Sequence, residues 1–158
     1  MIEGHHISPL ERTDDRVRIR ASALIQSDPE SLYLLWRDVE SAPVWQEQIV
    51  SVTAKSTTLS HWVMKSGESI IEWDIEILAD EPGRRIAWAS VASDLHNAGE
   101  AFFEDAVDGS GTQVTVFQEF RMGRLAHVWE SIAGRDPQQA VIENLRAFKA
   151  LAETGRNP

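Results

Sequence analysis

The stretch ASDLHNAG, residues 92–99, sets His96 two residues after Asp94, close enough for a loop to hold a carboxylate beside an imidazole as an oriented general base. Ser90 is the hydroxyl that would join them if all three reached an interior site. The same Asp, Asn and Gly are also what a tight turn uses, so the solvated turn is the preferred reading of the segment. The other histidines offer less. His5 and His6 are adjacent near the start and could take up adventitious metal. His61 alternates with Trp62 and so falls on the outer side of a strand, and His127, next to Val128, reads as a surface position. The chain has no Cys, which removes thiolate ligands, Cys nucleophiles and disulfides. It contains no HExxH, phosphate loop, GxSxG or second His at ligand spacing, so no metal or other cofactor is indicated.

Charged side chains sort mainly into outer faces. Arg16, Arg18 and Arg20 alternate with apolar residues and either form an anion site or face acids such as Glu119 on a neighbouring strand. Glu72, Asp74 and Glu76 form a solvated row. The net charge of −10, from 25 acids against 15 bases, opposes phosphate backbones and anionic lipid. Nucleic acid is therefore not an expected partner. No run approaches the roughly 20 apolar residues of a membrane span, and the start lacks the apolar core of a signal peptide, so stable membrane insertion is not expected and a cytoplasmic location is.

The elements that would position these groups follow from periodicity. At 158 residues the chain fits one domain. Residues 1–15 are polar and aperiodic and read as a loose arm, and 16–155 as a single folded domain. RVRIRASALI alternates strictly, as a half-buried strand does. In SDPESLYLLWRD, Asp28 caps a short helix with Pro29 at its first position. Residues 40–45, interrupted by Pro43, form another helical turn or a loop. Six further strands follow: IVSVTAK, LSHWVMKS, SIIEWDIEIL, RRIAWASV, GEAFFEDAV and TQVTVFQEFRM. Turn residues separate them closely enough for antiparallel neighbours. In the first of these, Val50 and Val52 compete with Ile49 for the inside. Leu125, Val128, Trp129 and Ile132 then suggest a short helix that either packs or serves as a lid. A long C-terminal helix begins at Asp136-Pro137, carries Val141, Leu145, Phe148 and Ala152 as its apolar stripe, and stops at Gly155.

Taken in order, WRDVESAPVW (36–45), IEWDIEILADEPGRRIAWAS (71–90), NAGEAFFE (97–104), GTQVTV (111–116) and DPQQAVIENLRAFK (136–149) resemble the START-related (SRPBCC) superfamily. Within it they are similar to bacterial proteins described as polyketide cyclase/dehydrase or coenzyme Q-binding-like. The resemblance implies an α+β helix-grip fold: a seven-stranded curved antiparallel sheet wrapped around the long C-terminal helix, with two short helices between strands 1 and 2. It also implies a deep, mainly apolar cavity. Lipid carriers, quinone-binding proteins, aromatase/cyclases and co-chaperones all share that architecture, so it does not name a reaction.

Six Trp, one Tyr and five Phe form an unusual aromatic set. Strand parity points Trp62 and Met64, Trp73, Ile75 and Ile77, Trp88 and Ser90, Ala101 and Phe103, and Val114 and Val116 to one interior. Trp36 and Trp45 read as packing of a short helix near the rim. An empty apolar void of about 300 Å³ would cost roughly 7 kcal/mol at ~24 cal/mol per Å³. The rings therefore either close the space or line one that water or a ligand occupies. The expected ligand-binding set is Trp62, Met64, Trp73, Ile75, Trp88, Ser90, Phe103, Val116 and Phe148. The expected partner is a hydrophobic small molecule (lipid, quinone or polyketide-like aromatic), which is bound or carried or, alternatively, cyclised and dehydrated in the same cavity.

Overall fold

Alternation in RVRIRASALI becomes a strand in which Val17, Ile19, Ala21 and Ala23 are buried and Arg18 is exposed. The computed structural model describes residues 2–6, 16–66, 68–91, 96–121 and 137–155. Its strands are β1 (Ile2–His6), β2 (Arg16–Ile25), β3 (Ile49–Ala54), β4 (Leu59–Ser66), β5 (Ser69–Glu81), β6 (Arg85–Val91), β7 (His96–Asp105) and β8 (Thr112–Arg121). Two short helices, α1 (Pro29–Arg37) and α2 (Ala42–Trp45), flank a 3₁₀ turn at Val39–Ser41, and a long helix, α3 (Pro137–Thr154), closes the chain. The expected helix at 125–132 and the Asp136 cap lie outside the described residues.

All strands form one antiparallel sheet in the order β1-β2-β8-β7-β6-β5-β4-β3. β2 to β8 are the seven strands of the helix-grip fold, wrapped around the helices. The eighth strand comes from within the stretch read as a loose arm: residues 2–6 pair with β2, from Ile2 opposite Ala23 to His6 opposite Ile19. Without it β2 would present a row of open backbone groups at the sheet edge, and a polar sequence can fill that role because the ladder uses backbone bonds. At the other edge a bulge between Ile49 and Ser51 resolves the ambiguity in β3. The extra residue turns Val50 outward, 53% exposed, and leaves both Ile49 and Val52 buried.

Asp28 caps α1 as expected, its carboxylate accepting the Ser31 backbone N–H at 3.0 Å. The C-terminal end of α3 is pinned to the end of β2 by a polar clasp. Lys149 Nζ donates to the Leu24 carbonyl at 2.6 Å and to Glu153 at 2.8 Å, and Glu153 accepts the Gln26 N–H at 2.8 Å.

On the outer face His61 bridges two carboxylates, with Nδ1 2.7 Å from Asp74 and Nε2 2.8 Å from Glu72. Both ring nitrogens then donate, which requires the imidazolium. The hydrogen bond to Glu72, and then that to Asp74, raises the His61 pKa above its ordinary 6.5. The bond from His61 lowers Asp74 below 3.8. A raised His contributes stability that is complete below pH 6.5 and disappears as pH climbs through its folded pKa. A lowered Asp contributes stability present above pH 3.8 and lost as pH falls through its folded pKa. The bridge should therefore stabilise most between about pH 4 and 6.5. An NMR titration of the His61 ring should show a midpoint above 6.5 that Asp74→Asn lowers, and an unmoved midpoint would contradict the bridge.

Candidate functional site

Between the inward face of the sheet and α3 lies a cavity of about 120 Å³. Its wall is mostly aromatic and aliphatic, and the rings come from both sides. Trp62 and Trp73, opposite each other on β4 and β5, stack at 6.4 Å. From the helical segment, Trp36 packs 4.7 Å from Trp45 and 6.0 Å from Trp88. Trp88 and Val141 pack against both halves of the core, so they sit where the two meet around the cavity. At ~24 cal/mol per Å³, a void of this size costs roughly 3 kcal/mol if empty, which a domain of ordinary stability can carry.

Of the nine residues expected at the site, Trp62, Met64, Trp73, Ile75, Trp88 and Val116 are on the wall. Three are placed elsewhere. Phe103 and Phe148 are 2% and 0% exposed and pack against the rings of the helical segment, Phe148 lying 5.0 Å from both Trp36 and Trp45. The Ser90 hydroxyl accepts the Asn97 N–H at 3.0 Å across the β6–β7 hairpin. His96 opens β7 on the outer face, with Nε2 3.1 Å from Glu119, which Arg18 also engages at 3.0 Å. Asp94 lies outside the described residues. The Ser90–His96 arrangement therefore does not converge on the cavity, and Arg16 to Arg20 face Glu119 and the Phe117 ring instead of an anion site.

The wall also contains residues that sequence reading did not select. Trp36 and Trp45 line the cavity as well as packing, and Gln46, Gln48, Asn97, Gln118 and Asn144 contribute five carboxamides. Ser60 is there too, but its hydroxyl is taken by the Trp62 indole N–H at 2.8 Å. Asn97 and Gln118 bond to each other, and Gln118 Nε2 also donates to the Ala98 carbonyl at 3.0 Å. The indole N–H groups of Trp45 and Trp73 and the amide oxygen of Gln48 are buried without a partner among the described residues. Each is a group whose desolvation folding leaves uncompensated. Among the described residues the one ionisable lining group is Arg37, which is engaged by Asp80 at 3.0 Å and by the Thr57 carbonyl. Burial raises the Asp80 pKa, but hydrogen bonds from Tyr33 and Arg37 outweigh it and leave the group below 3.8, an anion that neutralises Arg37. A shallower depression of about 320 Å³ shares Arg37, Val39, Ser60 and Ile77 with the cavity and extends along the β3–β4 turn.

Gly99 holds Trp88 in place by having no side chain. The two are paired across β6 and β7, and a Cβ on Gly99 would stand 2.6 Å from the Phe117 carbonyl oxygen and 2.7 Å from Trp88 Cζ2. Gly99→Ala should cost about 1–3 kcal/mol in chemical denaturation and shift the tryptophan emission as Trp88 is displaced. A change of less than about 0.5 kcal/mol would mean that the ring does not lie over Gly99.

A family model described as "Polyketide cyclase / dehydrase and lipid transport" matches residues 25–146. An uncharacterized 17.2 kDa protein of Streptomyces lincolnensis is 28% identical over 88 residues, 56% of this chain and 58% of that protein; the chain thus matches somewhat over half of that relative's length. Among solved structures, DR_A0006 from Deinococcus radiodurans is 30% identical with a TM-score of 0.72, over 88% of this chain and 99% of that one. The Zhui aromatase/cyclase from Streptomyces sp. R1128 has the same fold at 14% identity, with a TM-score of 0.64 over 90% and 99% of the two chains. No helix among the described residues is long and apolar enough to cross a membrane.

Proposed function

The chain belongs to the polyketide cyclase/dehydrase and lipid transport family, with the hydrophobic-ligand cavity typical of its fold, and from that premise we propose that the cavity takes a neutral, oxygenated molecule of the polyketide type and guides its cyclisation and dehydration. One observation carries the reading: five carboxamides are set into a tryptophan wall with no unneutralised charge among the described residues. Carboxamides donate to ketone oxygens and accept from enols without the desolvation cost of an ion. Cyclisation joins an enol carbon to a ketone carbon of the same chain. The enol proton passes to the new alkoxide, and that hydroxyl then leaves with a neighbouring proton as water. Folding the chain and polarising the ketone are the contributions such a wall can make. A hollow of about 120 Å³ has room for one ring, close to the engineered cavity of about 150 Å³ that takes benzene, and a longer chain would extend into the depression beside Arg37.

Carriage alone, of a lipid, quinone or finished aromatic, is the second reading. It is favoured by the absence of a free acid or base on the described wall. Native mass spectrometry of the purified protein should reveal a co-purified neutral molecule. Incubation with a short poly-β-ketone should then give a product lighter by one water at a rate that exceeds the buffer blank. Binding without acceleration would leave the carrier, and no binding of either kind would remove both readings.

A further inference from the structure

The apolar face of α3 is interrupted at one position. Ala140, Val141, Asn144 and Leu145 recur at helical spacing and all line the cavity, and Asn144 alone among them is polar. Its side chain is half-buried and makes no hydrogen bond among the described residues, whereas the carboxamides of Asn97 and Gln118 at least hold each other. Leu has nearly the shape of Asn and would suit both the helix and the apolar surroundings better. An open amide here therefore does nothing for the fold. We propose that Asn144 is a ligand-recognition residue: its amide, with the open nitrogen of Asn97 and the open oxygen of Gln118, binds a neutral ring bearing hydroxyl or carbonyl oxygens, as both donor and acceptor.

The inference rests on the reading of the cavity as a site for a neutral oxygenated molecule, and it deepens that reading by naming the group that selects for oxygen. Two probes of one shape separate the chemistry: 5-methylbenzene-1,3-diol and 1,3,5-trimethylbenzene, which carries methyl groups in place of the hydroxyls. Titrated into the intact protein and followed by NMR, both should bind, but the diol alone should move the Asn144 side-chain NH₂ signals. Asn144→Leu should weaken the diol about tenfold and leave the trimethyl compound within about twofold. The same substitution should raise the melting midpoint by about 3 °C, since an unpaired amide is replaced by an apolar group of its size. An unchanged diol affinity in Asn144→Leu, an equal loss of both probes, or unmoved Asn144 signals in the wild type would overturn the inference while the cavity reading stands. Failure of both probes to bind the wild type would overturn the two together.

Discussion

Phe148→Ala should remove about 3–5 kcal/mol of stability, the largest single loss expected of any described side chain outside the cavity wall. Phe148 is 0% exposed, and Trp36 and Trp45 meet it edge-on, each at 5.0 Å with rings tilted by 69° and 65°. Three rings at that spacing gain more than the area they bury, because the positive edge of one lies over the negative face of another. Truncation leaves a hole between α3 and the helical segment, which the clasp of Lys149 and Glu153 on β2 prevents from collapsing freely. Since domains of this size are stable by about 5–15 kcal/mol, urea unfolding should begin at much lower concentrations and could leave little folded protein at 37 °C. Phe148→Leu keeps most of the volume and should cost under about 2 kcal/mol. If the Ala variant lost less than about 1 kcal/mol, the aromatic cluster would not be packed as described. Ligand affinity should fall as well, because Trp36 and Trp45 form the wall on their other side.

The architecture was legible because strand parity is a strong constraint: Trp62, Trp73 and Trp88 all lie on inward faces, and a slip of one residue would have exposed every one of them. The same rows held the polar half of the site. Ser60 ends the inward row of Met64 and Trp62 on β4. Asn97 continues that of Phe103, Ala101 and Gly99 on β7. Gln118 lies between Val116 and Phe120 on β8, and Asn144 occupies a stripe position on α3. Each was visible as a polar residue at an inward position, yet a search for ionisable groups passes over carboxamides. His96 shows the reverse error: an attractive residue type, but on the outward parity of Ala98 and Glu100, where it meets Glu119. Depth along a row is harder to read than its side. Parity put Phe103 inside correctly, but whether it met the cavity or the rings beside it depended on where α1 and α2 lie, and alternation within a strand does not contain that information. Pairing of residues 2–6 was hidden for another reason, since a backbone ladder at a sheet edge leaves little trace in hydrophobic pattern.

Trp73→Ala should cost about 3–5 kcal/mol and, unlike Phe148→Ala, should widen the range of ligands. Trp73 is 5% exposed, stacks on Trp62 with the rings inclined by 24°, and forms part of the cavity wall. Removing it joins the space of the indole to a hollow of about 120 Å³, so the limit of one ring no longer applies. Naphthalene, two fused rings with no polar atom, should bind the variant at least about tenfold more tightly than the wild type, as an apolar guest does on entering an apolar void. Trp73→Phe separates the ring from its N–H. The indole nitrogen is buried without a partner among the described residues, so the Phe variant sheds an unpaired donor along with part of the ring and should lose only about 1–2 kcal/mol. Denaturation of the two variants, with naphthalene titrated into each, tests volume and polarity independently. A large stability loss in Trp73→Ala with no gain in naphthalene affinity would place the ring in the general core, not on the wall of a binding cavity.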